Sequence, residues 1–290
     1  MDPIELLLNQ QYADATREYR KLLERNPNDW AAVDGLSTCL MSVGAYAEAL
    51  PLLDRLDEHE RASLPGHPGS KRYLACSYWC LDQWAAAMKL MRGLVEGILD
   101  RSIEFGDLAG GVQQGLLLHY MGVTAKDSEA VAFSIAYLRR LSKKSSIDYW
   151  PGPLARYVLG EISFEAVLAA LAKESEVGKP LEAAKTDVLA RRWVCVALFH
   201  DGIRHRIAGQ EEFCMSRMQE CVALRNSYLE PEWYLARYEV ERAANGIHWR
   251  ADAPAAPPRP MTDEEYARTP FLSNPARGCT DYSRTLMHDY

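Results

Sequence analysis

Ala15, Ala49 and Ala87 mark one recurring station, the first two 34 residues apart, each followed at matching offsets by bulky apolar side chains. In the first copy Tyr12, Ala15, Tyr19 and Leu22 succeed one another at helical spacing; the second copy gives Tyr46, Ala49, Leu53 and Leu56, and the third gives Trp84, Ala87, Met91 and Leu94. Such a period belongs to helical-hairpin repeats. A small residue set among large ones at this spacing is a packing arrangement. The alanine lies where a neighbouring helix approaches closest, and the large side chains fill the space on either side. The expected fold class is therefore all-α, a stack of hairpins whose core is a stripe between neighbours and not a single centre.

Around the second alanine the chain reads Leu36, Leu40, Gly44, Tyr46 and Ala49, with Pro27 closing the copy before it. The first copy has a short leading helix around Ile4 to Leu8, and the third keeps Leu74, Ala75, Tyr78, Trp84 and Ala87 but has Asp82 at the turn position. These copies resemble the tetratricopeptide repeat, with its glycine at the hairpin turn and alanine on the second helix. The resemblance implies a right-handed superhelix. Between the second and third copies the spacing grows to 38 residues, and Pro65, Gly66, Pro68 and Gly69 mark the place of the insertion. A looser fourth match runs through Leu117, Met121, Ala130 and Ser134, and a fifth through Gly202, Gly209, Cys214, Met218 and Cys221. Residues 150 to 242, with Trp150, Pro151, Tyr157, Leu159, Gly160, Ile162 and Ser163 and a Glu-rich helix from Glu232, are similar to the second half of NlpI-type bacterial repeat lipoproteins. That second resemblance implies an adaptor that brings proteases or hydrolases to substrates, although Met1 to Leu8 has neither a basic start nor a lipid-accepting cysteine.

Three regions follow from composition along the chain. Residues 1–100 read as regular hairpins. Residues 101–245 begin with a break at Gly106, Gly110, Gly111 and Gly115, resume helix near Gln113, and diverge from the repeat pattern; glycine costs a helix about 1 kcal/mol relative to alanine. Pro151 and Pro153 are expected to end the helix carrying Tyr137 and Leu141. Ser163 is the expected cap of a short following helix. A final helix framed by Pro231 and Gly246, carrying Trp233, Leu235, Ala236, Val240 and Ala243, is expected to cap the stack. Residues 246–290 are proline-rich and predicted to be extended, with Phe271, Leu272, Tyr282, Leu286, Met287 and Tyr290 packing back in part.

The net charge of -7 comes entirely from residues 1–60, which hold 12 acidic and 5 basic side chains, while the remainder balances at 28 of each. An acidic end steers basic proteins and repels phosphate, so a basic protein partner is expected and nucleic acid is not. The densest apolar stretch, Val188 to Phe199, contains Arg191 and Arg192 and falls short of a membrane span. The seven cysteines fall mostly at small-residue stations, where a thiol acts as a compact hydrophobe, and a cytoplasmic location is expected.

In tetratricopeptide scaffolds the first helix of each hairpin lines the inner groove. Carried over by position, the resemblance places there Asp34, Thr38 and Met41 from the second copy, Arg72, Cys76, Trp79 and Cys80 from the third, His119 from the fourth, and Phe199 and Arg206 from the fifth. Arginine and aromatic residues are typical of binding hot spots. Cys76, Cys80 and His119 are also three soft donors on paper, a metal-dependent reading that lacks a fourth ligand. His200 and His205 are spaced wrongly for one helix face, and no phosphate loop, nucleophile elbow or dinucleotide fingerprint occurs. The expectation is a non-enzymatic protein-binding scaffold without a cofactor, acting as an inhibitor, immunity protein or chaperone, with an adaptor as the alternative. The sequence leaves the oligomeric state open.

Overall fold

The computed structural model describes residues 2–64, 66–104, 107–175, 178–185, 187–224 and 230–245. Among these the chain contains helices and no strand. Four successive hairpins open it: α1 (Pro3–Leu8) with α2 (Tyr12–Arg25), α3 (Trp30–Ser42) with α4 (Tyr46–Ser63), α5 (Lys71–Cys80) with α6 (Trp84–Asp100), and α7 (Val112–Ala125) with α8 (Ser128–Leu141). A 3-10 turn at Ser145–Asp148 leads to the short helices α9 (Gly152–Val158), α10 (Phe164–Glu174) and α11 (Pro180–Ala183). A long hairpin, α12 (Val188–Ile207) with α13 (Glu211–Ala223), precedes the last helix, α14 (Pro231–Ala244). The predicted tail at 246–290 lies outside the described residues, as do Pro65, Gly106, Gly246 and Cys279.

Five of the helices, α1, α3, α8, α10 and α12, begin where a short polar side chain takes up a free backbone N–H group. Asp29 accepts from the Ala32 amide at 3.1 Å, Asp127 from Ala130 at 3.0 Å and Ser163 from Ala166 at 3.3 Å. Each such cap stabilises its helix by about 1 kcal/mol. Ala15, Ala49 and Ala87 have no exposed surface, nor has Cys214 at the corresponding station of α13. Cys39, Cys76, Cys195 and Cys221 are buried free thiols as well, so most of the cysteines do serve as small core residues.

The hairpin turns need one residue in left-handed backbone. Gly44 takes it in the second hairpin at φ 82°, donating to Met41 O while Ala45 donates to Leu40 O. Asp82, standing where a glycine would be, adopts φ 59°, and the same two bonds recur from Asp82 to Trp79 O and from Gln83 to Tyr78 O. Aspartate is among the few side chains that tolerate this region.

One expectation is corrected. α8 ends at Leu141, well before the prolines, and Pro153 lies in the first turn of α9. Proline there begins a helix, because its missing N–H would have had no partner anyway. The last helix, α14, packs on α12 and α13 of the hairpin before it and also reaches α5. Glu232, Trp233, Tyr234, Leu235, Ala236, Tyr238 and Glu239 are all buried, while Glu241 and Ala244 are exposed.

Candidate functional site

α14 runs along the face formed by the first helices of the hairpins. Near its start, Cys76 of α5 places Sγ 3.8 Å from the Pro231 carbonyl oxygen, and Arg192 of α12 donates to Glu230 at 2.7 Å. The Gln113 carboxamide of α7 donates to Glu230 at 3.2 Å and to Glu232 at 3.0 Å. Glu232 also lies 3.4 Å from Nε2 of His200 on α12. Two turns on, Glu239 accepts from the Tyr120 hydroxyl at 2.7 Å and from the Arg206 guanidinium at 3.1 and 3.2 Å. At its far end Tyr238 and Arg242 donate to Asp82 at 2.5 Å each, and Arg237 donates to the Ser42 carbonyl at the end of α3. The concave side of the repeat is thus occupied by the chain's own helix.

The electrostatics follow from burial. Arg206 loses hydration, which works against its charge, but Glu239 and Glu211 outweigh that loss and hold its pKa above the ordinary value. Burial raises the Glu230 carboxyl, against the pull of Arg192, and pushes the Tyr120 hydroxyl well up beside Glu239. His119, buried and near His200, falls to about 4 and stays neutral, with Nδ1 at 3.3 Å from Ser134 Oγ. A low-dielectric seat of this kind strengthens each satisfied hydrogen bond and penalises each lost one.

The side chains placed in the groove from sequence divide into two sets. Asp34, Thr38, Met41 and Arg72 come together with Glu60 and His67 around a recess of about 200 Å³ between α3 and α5. Asp34 is open to water there, yet protein surrounds the recess, and this desolvation together with the Glu60 carboxylate lifts its carboxyl to about 6. Arg72 donates to the Gln113 carboxamide, which joins the recess to the base of α14.

Trp79 and Phe199 have no exposed surface, His119 is buried, and the Arg206 side chain is only 8% exposed. Trp79 stacks on Trp84 at 5.7 Å and tilts against Tyr120 at 5.4 Å, whose ring meets the edge of Phe199 at 4.9 Å. Trp79 packs on Trp84 of its own hairpin, His119 turns to Ser134 of α8, Phe199 lies against Tyr120 and His200, and Arg206 is covered by Glu239 of α14, so none of the four presents the expected open surface. Met41 is likewise buried, at the floor of the recess. Glu232, Glu239, Gln113, Tyr120, Arg192 and Asp82 were not singled out from sequence as site residues. The available signals were Asp82 in place of a turn glycine and two glutamates seven residues apart on a helix otherwise rich in aromatic residues.

Cys76 and His119 engage separate partners, and among the described residues no group of three His, Cys, Asp or Glu side chains is placed to hold a metal. No described helix is long and apolar enough to cross a membrane.

Stacked hairpins with alanine at the close contacts define an all-α helical repeat, an architecture that generally mediates protein–protein interaction. Residues 6–67 match the tetratricopeptide repeat, and the all-α architecture is that of a tetratricopeptide helical repeat. No curated protein and no solved structure matches the chain, and the NlpI-type resemblance of residues 150 to 242 finds no support.

Proposed function

We propose that this chain is a non-enzymatic scaffold that holds one protein partner in a stoichiometric complex, as a cytoplasmic inhibitor, immunity protein or chaperone does. The observation that carries this reading is the recess between α3 and α5, the part of the inner face lined by hairpin residues and not by α14. Its Asp34 and Glu60 lie within the acidic first 60 residues, so a basic segment of the partner is the complementary ligand. Charge of this kind acts mainly on encounter rate and partner choice.

The test is affinity capture from the native host, followed by titration of the recovered partner at rising salt. A one-to-one complex that weakens steeply with ionic strength is expected, and D34N/E60Q should weaken it about tenfold, equivalent to ~1.4 kcal/mol. An affinity indifferent to both salt and the double substitution refutes the assignment of the recess. Simultaneous binding of a protease or hydrolase and its substrate would instead establish the adaptor role.

A further inference from the structure

The sockets around α14 are more selective than a structural cap requires. Burying carboxylates stabilises a fold less than apolar side chains of the same volume would, and buried ionic groups are best attested where they fix which partner or register is accepted. Here the inner face spends an arginine, a tyrosine and a glutamine on two carboxylates. Arg206 and Tyr120 hold Glu239, Gln113 holds Glu232 with His200 beside it, and neither carboxylate side chain has exposed surface. Between them Leu235 and Ala236 are fully buried. Positions i, i+3, i+4 and i+7 lie on one face of a helix, the pattern by which a groove recognises a helical ligand.

We propose that the inner face of this repeat is a receptor for a partner's α-helix bearing two carboxylates seven residues apart around a small apolar pair, and that α14 is the chain's internal copy of that ligand. The inference rests on the scaffold reading and adds what the groove accepts. Three features support it. The contributing elements, α3, α5, α7 and α12, are the first helices of four hairpins, the same surface that the repeat architecture presents inward. Hydrogen-bonding groups meet α14 along its whole length, from Glu230 to Arg242. The acid-lined recess adjoins the seat through the contact of Arg72 with Gln113, so a partner that places a basic segment in the recess begins at the edge of α14. Because α14 is tethered, it competes at a high effective concentration, and a free helix gains access only when α14 is weakened or when the partner adds contacts outside the groove.

The experiment uses the full chain and a fluorescent peptide copying residues 230–245. L235D places a charge at a fully buried position of α14 and empties the seat without altering it. The folded variant should bind the wild-type peptide saturably, one to one, in fluorescence anisotropy. A peptide carrying E239Q should bind about ten- to a hundredfold more weakly, since it loses the charge-assisted bonds from Arg206, and the wild-type chain should show no binding at the same concentrations. A folded, monomeric L235D chain that binds no peptide overturns the proposal.

Hydrogen exchange on the wild-type chain decides the matter independently, even if L235D fails to fold. Amides of α14 should exchange through an opening of lower free energy than those of α5, α7 and α12. Exchange of α14 only on global unfolding overturns the proposal. A captured partner that binds while α14 stays protected also overturns it, but leaves the scaffold reading intact.

Discussion

Arg206 and Glu239 form a buried pair whose two halves should be unequal to remove. The Arg206 side chain is 8% exposed and that of Glu239 is fully enclosed. Arg206→Met removes the cation paired with the buried Glu239 carboxylate, and breaking a buried pair from one side costs about 3–5 kcal/mol. Glu239→Gln is milder. It keeps an acceptor for Tyr120 at nearly the same volume, and Arg206 retains Glu211, 2.7 Å away and 41% exposed, so roughly 1.5–3 kcal/mol is expected for the lost charged hydrogen bonds. Were the sites independent, the double variant would lose the sum. With both charges gone, no uncompensated ion remains, and the double variant should cost little more than the larger single loss, a coupling of about 2 kcal/mol. Urea unfolding at neutral pH, fitted with a common m-value, measures all four corners of the cycle. Additivity within about 0.5 kcal/mol would refute the claim that the two groups are read as a pair.

His119 should make the protein acid-sensitive. Its folded-state pKa is lowered from 6.5 to about 4 by burial and by His200, so the unfolded chain takes up a proton first as the pH falls. Stability present above pH 6.5 is therefore lost between there and about 4, by roughly 3 kcal/mol, and His119→Gln should flatten that part of the urea-midpoint profile relative to the wild type. Ala49→Leu should cost about 1–3 kcal/mol by forcing apart the helices that meet at a station with no free surface, seen as a lower melting temperature with unchanged helicity. Asp82→Gly suits the left-handed turn yet removes the acceptor of Tyr238 and Arg242. Relief of backbone strain, about 1 kcal/mol, should nearly offset that loss, so overall stability moves little while the last amides of α14 lose exchange protection.

The hairpins were legible because their signal is local. Alanine at the close contact and Gly44 at the turn act within one hairpin, and the periodicity repeats the signal along the chain. The recess was partly legible for the same reason, since Asp34, Thr38 and Met41 share a helix and Arg72 occupies the matching position of the next hairpin. What could not be read was the destination of α14. Trp233, Leu235, Ala236 and Val240 give any amphipathic helix a buried side, and nothing in that spacing distinguishes the end of a stack from its concave face. The meaning of Glu232 and Glu239 depends on Gln113, Tyr120 and Arg206, which are distant in sequence and come together only after the superhelix has formed. Trp79 and Phe199 show the limit most clearly. Their place on first helices follows from the repeat, but their burial depends on rings of their own and neighbouring helices, Trp84, Tyr120 and His200, that the repeat pattern does not specify.

The bond from Arg237 to the Ser42 carbonyl joins residues 195 apart, and those from Tyr238 and Arg242 to Asp82 span 156 and 160. An open solenoid is quasi-one-dimensional: each hairpin contacts its neighbours, and the array can fray from either end in steps. A helix that bonds to the second, third, fourth and last long hairpins together makes the loss of one terminal unit a loss to all of them. With α14 seated the hairpins should therefore hold together, and once it has left its seat they should fray in steps as an open array does; folding should also be slower than for a repeat array of this length, because these distant contacts must close their loops before they contribute.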